Sequence, residues 1–242
     1  MISVSITSAR FSHVGKLMLT CFAALVLATP AFAFCTEPQP TVACEFLDSD
    51  AVFIGRVIST QNTPAQGDRF DEGWTYEMSV QKMYRGPVGK TIKVFTENVS
   101  ERFPLETGRE YVLFATKIAD RFEIFDCGNS ALLLEAGNTI KELDTLKIPD
   151  DAEIEGRIGI PNTDTQVSDA HIVIRGDGKT FTATSDRDGW FHLHIPPGKY
   201  SASVQPIAHW DISPFDLSTD DPKGFTASKG HCSGLQFWAD RK

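Results

Sequence analysis

Short apolar segments that alternate with polar residues dominate the chain between residues 35 and 136. Trp74, Tyr76, Met78 and Val80 recur with period two, which is the pattern of a strand that is buried on one face. Further short apolar segments lie at residues 51–54, 92–94 and 111–114. Glycine and Gly-Pro positions separate these segments as turns. The pattern therefore predicts a region built of strands.

The pattern changes at two places around these strands. Residues 62–73 are polar and predict an exposed loop. After residue 137 the apolar positions recur with helical spacing, and Thr139 with Glu142 matches a capping box. We expect a helix of about ten residues there. The segment Pro149-Asp150-Asp151 ends it and serves as a linker.

The region beyond the linker contains only strand patterns. Short β-prone segments separated by turn signals lie at residues 154–160, 171–175, 180–185, 190–195 and 200–205. Regular short strands of this kind predict a small β-sandwich. In the fourth segment, alternation places Phe191, Leu193 and Ile195 on one face, which we expect to be the core face.

The segment from residue 207 to residue 230 is irregular and acidic, and a final strand follows at residues 235–238. Long loops without structure of their own are often functional. This segment contains His209, Trp210 and Phe215, and aromatic residues in an exposed loop suit recognition of a partner. Burial of the two aromatic rings against the sandwich is the alternative interpretation.

The first 33 residues have the pattern of a secretory signal peptide. An apolar run at residues 17–28 follows Arg10 and Lys16, and Ala31 with Ala33 provides an A-x-A cleavage signal. The run is shorter than the roughly 20 residues of a membrane span. We therefore expect cleavage after Ala33, a mature chain without a transmembrane span, and a secreted or periplasmic location.

Charge and cysteine content narrow the classes of function. Loss of residues 1–33 removes two basic and no acidic residues, so the formal charge changes from −9 to −11. Scattered basic residues in an acidic chain argue against nucleic-acid binding. In an exported protein, Cys35, Cys44, Cys127 and Cys232 predict disulfides rather than a zinc site, with three possible pairings.

Few side chains suggest catalysis or metal binding. His192 and His194 share one strand face and could bind a metal with His171 or His209, but a solvated strand face is the favoured interpretation. The segment Asp186-Arg187-Asp188-Gly189 favours a turn over half a calcium loop. The pair His231-Cys232 favours a structural cysteine over a nucleophile. We predict no catalytic residue, no metal and no cofactor.

Several spaced segments resemble two known families. Residues 44–57, 84–89 and 108–114, with Cys127, resemble the netrin-like domain of tissue inhibitors of metalloproteinases. This resemblance implies an OB-like five-stranded barrel with flanking helices over residues 34–149. Residues 156–158, 186–191 and 196–200 resemble the carboxypeptidase regulatory-like, or transthyretin-like, domain. An Ig/transthyretin-like β-sandwich over residues 150–242 is implied, and the whole fold is mainly β.

The first resemblance also has implications for the cysteines. In the animal inhibitors a C-x-C begins the mature chain and chelates the zinc of the protease, whereas this chain begins Phe34-Cys35-Thr36-Glu37 after the predicted cleavage. The resemblance implies a Cys35–Cys127 disulfide. Cys44 and Cys232 are then left over. Their pairing would join the two domains, and free thiols or other partners are equally open.

These observations lead to three hypotheses about function. The first is an exported two-domain interaction protein without catalytic activity, which binds an unknown protein or an envelope component. Its expected surfaces are the loop at residues 62–73 and the segment at residues 207–231. The alternative is a secreted protease inhibitor in which Phe34, Cys35 and Thr36 enter an active site. The third is an enzyme, for which no cleft of convergent polar groups can be assembled.

Overall fold

The computed structural model describes residues 39–64, 72–87, 89–98, 102–125, 127–161, 163, 165–215 and 224–242, without the side chain of Phe215. These residues belong to one compact unit and are mainly β, as predicted. The predicted signal peptide, the loop residues 65–71 and the segment Phe34-Cys35-Thr36 lie outside the described residues.

The strands of the first half close into a barrel. They are β1 (Ala51–Thr63), β2 (Gly73–Arg85), β3 (Thr91–Glu97), β4 (Glu110–Ile118), β5 (Arg121–Glu123) and β6 (Ala131–Leu132). Strand β1 pairs antiparallel with β2 and with β4, β2 pairs with β3, and β5 lies between β3 and β4. Five strands therefore form a closed ring, as an OB-like barrel requires, and β6 extends it beside β4.

The barrel core follows from the alternation in the sequence. On β2, Tyr76 and Met78 are buried, as the period-two pattern predicts, whereas Trp74 and Val80 are only partly buried at its edge. The pairing of β1 with β2 contains three register shifts. Such bulges increase the local twist of a strand and help a small sheet to close on itself.

Two short helices flank the barrel. Helix α1 (Val42–Asp48) begins at Thr41, whose side chain accepts a hydrogen bond from the Cys44 backbone N–H. Helix α2 (Gly137–Leu143) is shorter than expected, and its N-cap is Ala136 without a side-chain cap. The capping-box prediction is wrong because a turn at residues 132–136 starts the helix before Thr139. No helix in the described part of the chain is long and apolar enough to cross a membrane.

The second half forms two four-stranded sheets. Its strands are β7 (Ala152–Gly159), β8 (His171–Gly176), β9 (Lys179–Thr184), β10 (Trp190–Ile195), β11 (Gly198–Val204), β12 (Trp210–Phe215), β13 (Phe225–Ala227) and β14 (Cys232–Arg241). The sheet orders are β10-β7-β14-β12 and β13-β11-β8-β9. Phe191 and Ile195 are buried in the shared core and Leu193 is partly buried, so the predicted core face of β10 is confirmed.

Two loop predictions need correction. The segment at residues 207–230 contains β12 and β13, because Ile212 packs on the core while the polar residues beside it obscure the strand pattern. Strand β14 is longer than the predicted segment at residues 235–238. The predicted loop at residues 62–73 is shorter than expected, because β1 and β2 pair as far as Thr63 and Gly73, so both ends of the predicted loop belong to strands.

Helix α1 joins the barrel to the sandwich. A disulfide links Cys44 on α1 to Cys232 on β14, with 5.1 Å between their Cα atoms. The backbone N–H of Thr41 donates to Glu155 Oε1 at 3.0 Å, and the backbone N–H of Cys232 donates to Asp48 Oδ1 at 3.1 Å. Cys44 and Cys232 therefore pair with each other, and their disulfide connects the barrel to the sandwich.

Candidate binding cavity at the end of the barrel

The predicted interaction residues do not form one site. His209 is exposed and has a positive φ of 69°. Trp210 is partly buried against the sandwich core, with the Arg241 guanidinium 5.7 Å from the centre of its ring. For Trp210 this matches the burial alternative. Phe34, Cys35, Thr36 and the side chain of Phe215 lie outside the described residues, so their predicted role stays a prediction.

The histidines on β10 contact carboxylates. His192 Nδ1 lies 3.7 Å from Glu155 Oε2, and His194 Nδ1 lies 3.3 Å from Asp151 Oδ1. Within the described ranges, no group of three or more His, Cys, Asp or Glu side chains could bind a metal ion. These histidines therefore form separate contacts on one face of the sandwich.

Two other candidates have structural roles. Asp186 Oδ1 accepts hydrogen bonds from the backbone N–H groups of Asp188 and Trp190, both at 2.9 Å. This is the turn that the sequence favours over a calcium loop. Cys232 is buried in its disulfide, and His231 lies 3.9 Å from Asp48. Cys127 is also disulfide-bonded, and its predicted partner Cys35 lies outside the described residues.

A cavity of about 670 Å³ lies at one end of the barrel, beside α1. Its walls come from α1, the ends of β3 and β4, and the segments that follow β3 and β5. The lining residues are Pro40, Cys44, Glu45, Asp48, Ser49, Thr96, Glu97, Arg102, Phe103, Phe114, Thr116, Ile118, Glu123, Ile124, Phe125, Cys127 and Gly128. The volume lies in the range of pockets that bind small molecules.

Glu45 fixes one wall of the cavity. Its Oε2 accepts hydrogen bonds from the backbone N–H of Asn129 at 2.5 Å and from Asn129 Nδ2 at 2.7 Å. Burial raises the pKa of the Glu45 carboxyl, against the effect of these two hydrogen bonds. A Cβ atom at Gly128 would lie 2.1 Å from Glu45 Oε1, so a larger residue there would require this carboxylate to move.

Asp48 lies where the cavity meets the junction with the sandwich. Desolvation raises the pKa of its carboxyl to about 6, and repulsion from Glu155 acts in the same direction. The hydrogen bond from Cys232 and the nearby His231 and Arg85 oppose this shift. The cavity therefore contains a carboxylate that is ionised at neutral pH and is incompletely hydrated.

Thr96 presents an unpaired polar group in the cavity wall. Its residue is 1% exposed, and Oγ1 has no hydrogen-bond partner among the described residues. Buried hydroxyl groups in proteins nearly always have a partner. Glu123, another buried polar residue of this wall, pairs with Arg121 at 2.6 Å. Thr96 Oγ1 is therefore an unsatisfied polar atom buried in the cavity wall.

The rim of the cavity is apolar. Phe125 is 54% exposed and Ile118 is 43% exposed, and both line the opening. Sequence reasoning missed this site because Ile118 ends an apolar strand and has the pattern of a core residue. The position of Phe125 immediately before Asp126-Cys127-Gly128 was the one available signal, since Asp and Gly favour turns and turns usually lie at the surface.

Comparisons with known proteins give only distant similarity. No family model matches the chain, and no curated protein matches it. A DUF3823 family protein from Bacteroides ovatus is 14% identical with a TM-score of 0.27, over 36% of this chain and 44% of that chain. The Bacillus anthracis TIE protein is 13% identical with a TM-score of 0.31, over 97% of this chain and 45% of that chain.

The chain thus spans less than half the length of either of these structures. Both come from bacteria. The netrin-like and carboxypeptidase regulatory-like resemblances stay predictions.

Proposed function

We propose that the protein is an exported, non-catalytic interaction protein that accommodates part of a partner protein in the cavity at the barrel end. The observation that carries this proposal is the combination of an exposed apolar rim with an unpaired buried hydroxyl behind it. Phe125 and Ile118 supply the rim, and Thr96 supplies the hydroxyl. A partner side chain that entered the cavity would bury Phe125 and Ile118 and could form a hydrogen bond with the Thr96 hydroxyl.

Two features support export. The apolar run at residues 17–28 and the following A-x-A pattern are typical of a signal peptide. The disulfide between Cys44 and Cys232 is of the kind that persists in oxidising compartments. Secretion and a periplasmic location both agree with these features.

The chemistry of the cavity supports binding rather than catalysis. The two lining carboxyl groups whose pKa is raised, those of Glu45 and Asp48, accept hydrogen bonds from backbone N–H groups that fix local structure. Cys44 and Cys127 line the cavity, but each is disulfide-bonded and cannot act as a nucleophile. The carboxyl groups with a raised pKa and the cysteines that line the cavity are therefore engaged in structural contacts.

Site-specific photo-crosslinking tests this proposal. A photoreactive phenylalanine analogue placed at Phe125 in the full-length protein, expressed in its own compartment, should yield a defined adduct with one partner. The matched control places the analogue at Ile58, which is 48% exposed on β1 and does not line the cavity. The partner is then purified and its binding to the unmodified protein is measured.

Two outcomes would change this proposal. Adducts of equal yield from both positions would show that the cavity rim is not the interface. A partner that is a protease and loses activity on binding would replace the proposal with the inhibitor alternative that the netrin-like resemblance implies.

A further inference from the structure

We infer that the cavity selects a cationic side chain on an apolar stem, in a partner segment where a lysine or arginine lies among apolar residues. This inference rests on the proposed binding function and specifies the chemistry of the ligand. It follows from the charges of the lining residues, the rim and the unpaired hydroxyl of Thr96.

The lining carries more negative than positive charge. Four carboxylates line the cavity, and Arg102 is the one basic residue among the described lining residues. The guanidinium of Arg102 lies 5.6 Å from the centre of the Trp74 ring in a cation–π contact, and Arg102 forms no ion pair with a described residue. The carboxylates lie at Glu45, Asp48, Glu97 and Glu123.

These carboxylates differ in how far they are already compensated. Glu123 pairs with Arg121, and Glu45 accepts two hydrogen bonds from Asn129. The structure shows no ion pair for Glu97 with any described residue, and Glu97 is exposed at the end of β3. Asp48 accepts a hydrogen bond from the backbone N–H of Cys232, so Glu97 is the lining carboxylate without a described partner, and we expect a ligand cation to pair with it.

The remaining lining residues suit the apolar part of such a ligand. Phe103 and Phe114 form part of the wall, and Ile118 and Phe125 form the rim. Lysine and arginine bury their methylene stems on apolar surface while their charged ends reach polar groups. An apolar neighbour in the ligand could then cover the rim.

The unpaired hydroxyl of Thr96 supports the inference independently of the charges of the lining residues. Its hydroxyl can donate or accept a hydrogen bond, and it does neither with any described residue. A ligand ammonium, guanidinium or peptide N–H could donate to Thr96 Oγ1. Because an unsatisfied buried polar group is unfavourable, a ligand that bonds to it gains affinity.

Two dansyl probes of opposite charge test the inference directly. Dansylcadaverine carries an aromatic apolar group and a terminal ammonium, whereas dansylglycine carries the same aromatic group and a carboxylate. We expect saturable binding of dansylcadaverine to the purified protein, at least about tenfold tighter than that of dansylglycine, measured by fluorescence anisotropy. Added salt should weaken the binding of the cationic probe.

Single substitutions locate the binding in the cavity. Glu97→Gln should weaken dansylcadaverine several-fold, because it removes the uncompensated carboxylate. The matched control is Glu142→Gln, an exposed carboxylate on α2 that does not line the cavity, which should leave the affinity unchanged. Thr96→Val should also weaken the probe while the protein stays folded, as circular dichroism would show.

The outcomes separate this inference from the proposed function. Equal or tighter binding of dansylglycine, or identical affinities of Glu97→Gln and the parent protein, would overturn the selection of a cation. Detection of a partner adduct by photo-crosslinking from Phe125 in the parent protein requires no assumption about the charge of the ligand. A specific adduct together with a preference for the anionic probe would retain the binding site and reject its proposed chemistry.

Discussion

Thr96 shows how a single residue in the cavity wall can affect stability and binding in opposite directions. Because its hydroxyl is buried without a partner among the described residues, valine of the same shape should be better tolerated than threonine. We expect Thr96→Val to raise the free energy of unfolding by about 1 kcal/mol in urea titrations. A loss of stability of that size would mean that the hydroxyl has a partner in the free protein.

Asp48 makes stability depend on pH. Its pKa rises from the reference value of 3.8 to about 6 in the fold because the carboxyl is desolvated. The contribution of the protonated Asp48 carboxyl to the free energy of unfolding is therefore fully present below pH 3.8 and is lost as the pH rises through about 6. An asparagine side chain at this position would stay neutral, so we expect Asp48→Asn to raise the melting temperature at about pH 8 and to lose this advantage near pH 4.

The control for Asp48→Asn is the same substitution at a carboxylate whose pKa is shifted in the opposite direction. Asp144→Asn is such a substitution, and it removes the same charge away from His231, Arg85 and Glu155, which act on Asp48. Hydrogen bonds from Lys82 and Tyr84 lower the pKa of Asp144, so its removal should lower stability slightly at about pH 8. A melting temperature of Asp48→Asn that is unchanged or lower at that pH would contradict the desolvation account.

At the scale of residues, the sequence predicts burial better than exposure. Alternation correctly places Phe191 and Ile195 in the core. It does not reveal that Phe125 is exposed or that Thr96 lacks a partner among the described residues. Those properties depend on which other segments cover a side chain, and local patterns carry no information about that.

At the scale of elements, strand β7 is closely packed between β10 and β14. A Cβ atom at Gly156 would lie 2.1 Å from Phe191 Cζ and 2.5 Å from the carbonyl oxygen of Leu235. We expect Gly156→Ala to destabilise the protein by about 3 kcal/mol in urea titrations, because β10, β7 and β14 would have to move apart.

Gly234→Ala on β14 is the matched substitution. Among the described residues, no atom lies within 4 Å of a Cβ atom built at that position, and Gly234 pairs with Glu155 on β7. Its free energy of unfolding should therefore stay within about 0.5 kcal/mol of the parent protein. Equal losses of stability for Gly156→Ala and Gly234→Ala would show that the close packing of Phe191 against Gly156 is not what destabilises the first variant.

The strands were largely predictable and the segments between them were not. The predicted segments at residues 171–175 and 190–195 match β8 and β10 closely, whereas β2 extends to Arg85, beyond its alternating residues. Strand β12 was missed because it pairs with β14, more than twenty residues further along the chain, and because it contains Pro214, a residue that is rare inside strands. Helix α1 is too short for a periodic signal, and it depends on the Thr41 cap and on contacts with the sandwich.

At the scale of the whole molecule, the disulfide between Cys44 and Cys232 joins residues that are 188 positions apart. In the chain-entropy account, closing a loop of this length stabilises the fold by about 5 kcal/mol. We expect Cys44→Ser, Cys232→Ser and the double variant to lose similar amounts in urea titrations without reductant. A double variant as stable as the parent would contradict this account.

The cavity also belongs to this scale, and this explains why it could not be predicted. Its lining combines α1 with the ends of β3 and β4 and the segment around Cys127, which are far apart in the sequence. The predicted pairing Cys35–Cys127 pointed to this end of the barrel, but only through a family resemblance. The charge of the cavity becomes visible only when these segments are brought together.

The most direct test of the binding site is photo-crosslinking from position 125 of the full-length protein in its own compartment, with and without Glu97→Gln. The account predicts one defined partner adduct from position 125, a clearly lower yield of that adduct with Glu97→Gln, and no such adduct from the control at Ile58. Equal adducts from positions 125 and 58 would contradict it.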